Sequence, residues 1–169
     1  MGEACRTGKF DNIRNDCFAN TTVNILANCK DFYEYIINLE RDEVNKKVST
    51  ELHDLFVRMK TSPNENHSTR YLRHLFRNKG FDDGQQHCMI GFFLEIIEKV
   101  KEEELTGTNT ETNLLMPLNP SPQQVYEQAV GSSQVAKMFY WLLSRHFSCS
   151  NPDCGTDANN RGIDKITIM

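Results

Sequence analysis

The chain has 169 residues, enough for one domain with a sizeable core, and 38% of them are hydrophobic. With 19 basic residues against 23 acidic ones and a pI near 5.7, it lacks the basic footprint of a nucleic-acid binder. No apolar run approaches the roughly 18 residues that a membrane span needs, so neither nucleic acid nor membrane is expected as a partner.

Apolar spacing predicts helices through the first hundred residues. Phe18, Ile25, Leu26 and Cys29 share one face of a helix beginning near Cys17, and Phe32, Ile36 and Leu39 continue the pattern in a second segment. Leu52, Leu55, Phe56 and Met59 keep helical spacing without a gap. Leu72, Leu75 and Phe76 predict a shorter helix with Ser68 as its N-cap. The clearest stripe is Met89, Phe92, Phe93, Ile96, Ile97 and Val100, a helix buried along one side. Residues 101–122 are first charged, then rich in Thr, Asn and Pro, and predict a long loop or insertion. A helical stretch from about Gln123 to Met138 follows. Phe139 to Leu143 favours a strand, and Ile163, Ile166 and Ile168 suggest a weak final one.

The first 25 residues carry Arg6, Lys9, Asp11, Arg14 and Asp16 and no apolar stretch, so a secretory leader is not expected. That places the chain inside the cell, in cytoplasm or nucleus, with its six cysteines reduced. One of them, Cys17, stands where an irregular stretch passes into the first helix. Free N–H groups and the helix dipole at such a position favour a thiolate, and the same groups can stabilise an oxyanion during acyl transfer. By position alone, Cys17 reads more readily as an ordinary small residue beside an Asn-rich turn.

The run Asn12-Ile13-Arg14-Asn15-Asp16-Cys17-Phe18-Ala19-Asn20-Thr21 resembles the cysteine box of the ubiquitin-specific proteases, Asn-Leu-Gly-Asn-Thr-Cys-Tyr/Phe-Met-Asn-Ser. Asn12, Asn15, Cys17, Phe18 and Asn20 match. The resemblance implies that Cys17 is the nucleophile and Asn12 a side-chain donor to the oxyanion. Two departures are expected to lower activity. Arg14 replaces a Gly, which tolerates backbone angles that Arg does not, and Asp16 replaces a Thr, placing a carboxylate beside the thiol.

A second run, Gln86-His87-Cys88-Met89-Ile90-Gly91-Phe92-Phe93, resembles the family's Gln-Gln/His-Asp-Ala-x-Glu-Phe-Leu helix, with Cys88 for the Asp and Gly91 for the Glu. The resemblance implies that Gln86 and His87 lie near the channel for the substrate tail, although a plain core helix would use most of these residues equally well. From Phe139 onward the pattern resembles the start of the family's fingers region. There Cys149 and Cys154 are either a free pair or half of a structural zinc site, which would need His146 or another chain to close it. Catalysis of this type requires no cofactor.

The resemblance spans most of residues 8 to 155, about the N-terminal half of the family's catalytic domain. It implies the mainly helical first half of a papain-like α+β peptidase domain. The divisions would be a helical subdomain over 8–100, the loop over 101–122 and the start of the fingers over 123–169. The general base of the family lies far downstream in a Gly-His-Tyr context, and none of His53, His67, His74, His87 and His146 sits in one. Two functions therefore stay open: an incomplete or weakly active deubiquitinating thiol hydrolase, or a catalytically silent ubiquitin-binding module derived from that family. A third, an unrelated helical adaptor, would make the matches coincidental.

Overall fold

Five of the predicted apolar stripes become helices in the computed structural model, in which residues 8–106, 121–140, 142–143 and 167–168 are described. The chain divides into two units, Met1–Asn109 and Thr110–Met169. The first contains β1 (Lys9–Phe10), α1 (Cys17–Asn28), α2 (Lys30–Asn38), α3 (Lys47–Thr61), β2 (Asn66–His67), α4 (Arg70–Leu75) and α5 (Met89–Leu105).

Burial rather than propensity makes α1 a helix. Its Thr21-Thr22-Val23 run is β-branched and a modest helix former, yet Phe18, Ala19, Thr22, Val23, Leu26 and Ala27 are all buried. The small residues move the centre of the apolar face away from Ile25, which is 45% exposed instead of facing the core. Helix α3 buries Leu52, Leu55, Phe56 and Met59 as their spacing requires. Helix α5 buries Phe92, Ile96, Ile97 and Val100. Phe92 is the hub of an aromatic cluster, with ring centroids 5.2 Å from Phe18, 5.4 Å from Phe76 and 5.0 Å from Phe81.

Two expectations about element ends are corrected. Helix α5 does not stop where the charged run begins but continues through Lys101 to Leu105. Pairs Lys99–Glu102 (2.8 Å) and Lys101–Glu98 (3.2 Å) line its exposed side, while Glu103 turns inward and is buried. The N-cap position of α4 is Thr69, not Ser68. Ser68 Oγ still accepts from Arg70 N at 3.3 Å, but the Thr69 hydroxyl donates to Asn20 Oδ1 at 2.8 Å and so ties the start of α4 to α1.

Strands β1 and β2 are short and parallel, Lys9 opposite Asn66 and Phe10 opposite His67, and Asp11 N extends the ladder to His67 O at 3.0 Å. This pairing fixes the chain as it enters the loop ahead of Cys17.

In the second unit, the expected single helix is two: α6 (Pro122–Val130) and α7 (Gln134–Phe139). Gly131, at φ 52°, ends the first. Ser121 and Gln124 form a capping box at its start, and Ser133 Oγ accepts from Ala136 N at 2.9 Å to open the second. The strand expected over Phe139 to Leu143 narrows to β3 (Leu142–Leu143), because Phe139 still belongs to α7. It pairs antiparallel with β4 (Thr167–Ile168), Leu142 opposite Ile168. Ile163 and Ile166 lie outside the described residues. The described chain is mainly helical with two short strand pairs, which fits the α+β class.

Candidate active site

The loop 11–16 is built to deliver Cys17 to the first turn of α1. Asp16 is the N-cap residue, but its carboxylate does not cap the helix: Oδ2 turns back and accepts from Ile13 N (3.2 Å) and Arg14 N (3.3 Å). Asn20, one turn into α1, donates from Nδ2 to Asp11 O at 2.9 Å, closing the loop from below. Asn15 donates to Gly84 O at 3.1 Å. Two of the box asparagines are therefore braces. The third, Asn12, is exposed, as is the Cys17 thiol.

Both departures expected to harm the box look different in three dimensions. The residue with positive φ is Asn15 (55°), so Arg14 does not need the freedom of a glycine. Asp16 is buried, and its charge is met by Arg73 of α4 in an ion pair. Arg73 is itself 2% exposed, donates from Nε to Phe81 O at 2.9 Å and from Nη1 to Arg14 O at 3.1 Å, and lies 5.4 Å over the Phe18 ring.

The Gln86–His87 segment approaches the same region from the loop ahead of α5. Gln86 is exposed. The His87 ring stands edge-on to Phe18 at 5.2 Å and its Nε2 is 2.7 Å from Asp83 Oδ1. That hydrogen bond, with a second from Gln85 N, holds the Asp83 carboxyl below its usual range. Thr22 Oγ1, donating to Phe18 O (2.8 Å), also lies 3.4 Å from Met89 O, so α1 and the start of α5 are in direct contact.

Other imidazoles are engaged elsewhere. His53 pairs with Asp54 at 3.1 Å, His74 lies between Asp82 (2.9 Å) and Arg77 (2.8 Å), and His67 is buried against Phe10. Among the described residues none hydrogen-bonds the Cys17 sulfur. A polar cleft of about 530 Å³ runs beside the loop from Asp11 and Ile13 to Arg58 and Tyr71, and Cys17 does not line it. No group of three or more His, Cys, Asp and Glu side chains among the described residues could hold a metal ion. Cys149, Cys154 and His146 lie outside those residues.

An exposed thiol at the first turn of a buried helix, with N–H groups that have no intrahelical acceptor, can attack a carbonyl and support the resulting oxyanion. A nucleophile and oxyanion donors are two of the parts that a cysteine hydrolase needs, the third being a general base. The model of the ubiquitin carboxyl-terminal hydrolase family matches residues 8–157, and the chain belongs to that family. No curated protein matches the chain.

One side chain at the site, Arg73, was missed in the sequence, as was Glu103, which is buried away from it against the start of α3. Each occupies an apolar-face slot of its helix: Arg73 beside Leu72 and Phe76, Glu103 after Ile96 and Val100. A charge at such a slot was the available signal.

Proposed function

We propose that the protein is a deubiquitinating thiol hydrolase of the ubiquitin-specific protease type, acting inside the cell on ubiquitin or ubiquitinated proteins. What carries the reading is the exposed Cys17 thiol at the first turn of α1, within a chain that matches the hydrolase family over residues 8–157. Cys17 gives its proton to a general base that is not among the described residues, and the thiolate attacks the carbonyl carbon at the ubiquitin C-terminus. The carbonyl oxygen becomes an oxyanion, held by Asn12 and the N–H groups at the start of α1. Collapse breaks the C–N bond, the proton returns to the departing lysine amine, and water then cleaves the thioester. Gln86 and His87 line the path of the ubiquitin tail. No cofactor takes part. Residues 8–100 form the helical part of a partial catalytic domain, and the segment from 123 begins a fingers-like region.

One observation favours a second reading, a catalytically silent ubiquitin-binding module: no described imidazole is bonded to the Cys17 sulfur, and His53, His74 and His87 are each held by a carboxylate. Ubiquitin with a thiol-reactive C-terminal group separates the two. A covalent adduct lost in Cys17→Ala supports the hydrolase. Retained affinity without an adduct supports the silent module. Neither affinity nor adduct overturns both.

A further inference from the structure

We propose that Arg73 is the positioning residue of the Cys17 site: it neutralises Asp16 and locks the loop that carries Asn12 and Cys17 to the loop that carries Gln86 and His87. This rests on the reading of Cys17 as the nucleophile.

The geometry has two parts. The first is charge. Asp16 immediately precedes Cys17 and is only 8% exposed, so its negative charge is poorly screened by water. A carboxylate so placed opposes formation of a thiolate next door. The Arg73 guanidinium is also buried and pairs with Asp16, so the thiol sits beside a neutral pair rather than a bare anion. Asp16 in turn uses its other oxygen on Ile13 N and Arg14 N, shaping the turn ahead of Cys17.

The second part is geometry between loops. Arg73 donates to Arg14 O (3.1 Å) in one loop and to Phe81 O (2.9 Å) in the other. Asn15, donating to Gly84 O (3.1 Å), makes a parallel tie at the exposed edge. The planar fork of arginine can serve two carbonyls and a carboxylate at once. A lysine ammonium, a point charge on a flexible stem, can satisfy the charge without holding both loops.

These two roles separate experimentally. Cys17 alkylation by iodoacetamide, a small neutral reagent, followed by peptide mass spectrometry, reads the thiolate fraction. The exposed Cys88 is an internal reference for reagent reactivity, and the partly buried Cys29 reports general unfolding. Capture by the thiol-reactive ubiquitin reads the relation between the loops. Arg73→Met is expected to slow Cys17 alkylation about tenfold, the effect of one unit of opposition from the uncompensated Asp16, and to slow capture at least as much. The paired variant Asp16→Asn with Arg73→Met is expected to recover alkylation to within about twofold, while capture stays about tenfold down because the tie to Phe81 and Arg14 is gone. Arg73→Lys is expected to spare alkylation and slow capture. The paired variant and Arg73→Lys keep the test open even where Arg73→Met does not fold.

Folded Arg73 variants that capture ubiquitin at the parental rate overturn the proposal, and so does a paired variant whose alkylation fails to recover. Should the parent chain alkylate at Cys17 yet ignore ubiquitin, the deubiquitinase reading falls while alkylation still judges the charge role of Arg73. A parent chain unreactive at Cys17 overturns both.

Discussion

Glu103 of α5 closes the open end of α3 through Ser49: its Oε2 accepts from Ser49 N at 2.8 Å and from Ser49 Oγ at 2.7 Å, while Oε1 accepts from Val48 N at 2.9 Å. Helix α3 begins after Lys46, which has no side-chain oxygen to cap with, and has no acidic residue in its first turn. Its free N–H groups therefore draw their acceptor, and the negative charge that suits a helix N-terminus, from another helix. The cost of burying the carboxylate is offset by three donors in good geometry.

Replacing Glu103 with Ala should accordingly destabilise the protein by about 3 kcal/mol, since Val48 N and the Ser49 donors remain buried without an acceptor. Glu103→Gln should cost less, because the amide oxygen still accepts. Urea denaturation with an unchanged slope measures the difference; a loss under about 0.5 kcal/mol would mean that water replaces the carboxylate freely.

How far the fold could be read in advance depended on residue type. Large apolar residues announced α3 and α5, since Leu52, Leu55, Phe56 and Met59, or Phe92, Ile96 and Ile97, have few other uses at that spacing. Small ones did not: Ala19, Thr22 and Ala27 set the buried face of α1 and left Ile25 at its rim. Charged residues misled most. Lys101 to Glu104 looked like solvated loop, yet Glu103 is the cap of α3, and Arg73 passed unnoticed inside the short helix predicted from Leu72, Leu75 and Phe76. Asp16 seemed a flaw in the cysteine box only because its partner lies 57 residues away in sequence, a pairing that local pattern cannot reveal. Asn12, Cys17, Gln86 and His87 were singled out through motif resemblance rather than through spacing.

Alkaline titration tests the α2–α5 side of the core. Tyr35 sits partly buried near Glu104 and Glu103, and burial first, then the Glu104 charge and hydrogen bond, push its phenol well above the ordinary value near 10. Because the folded value is the higher one, the contribution to stability is complete below about pH 10 and is lost as pH rises through the folded value. In a phenolate absorbance titration a late step should accompany unfolding, and Tyr35→Phe should reduce its amplitude by one phenol. Five phenols titrating together in the folded protein would refute the placement.

Asn15 combines a strained backbone with a useful side chain. At φ 55° a β-carbon is unfavourable, which asparagine tolerates better than most residues. Asn15→Ala should lose both that tolerance and the bond to Gly84 O, whereas Asn15→Gly loses only the bond. The alanine variant is expected to be less stable than the glycine variant by about 1 kcal/mol. Equal thermal midpoints for the two would show that the left-handed conformation is not retained in solution.

Asn12 provides the last separation, between thiol reactivity and oxyanion support. Its side chain is exposed and takes no part in the bonds that brace Asn15 and Asn20, so truncation should leave the fold and the Cys17 thiol as they are. If its amide meets the developing oxyanion, Asn12→Ala should slow thioester formation with a ubiquitin C-terminal amide by about 10²- to 10³-fold. Alkylation of Cys17 by iodoacetamide, which forms no oxyanion, should hold within about twofold of the parent rate, since nothing that sets the thiolate fraction has changed. A parallel fall in both rates would assign Asn12 to the shape of the loop instead, and no fall in either would leave oxyanion support to the backbone N–H groups of α1 alone.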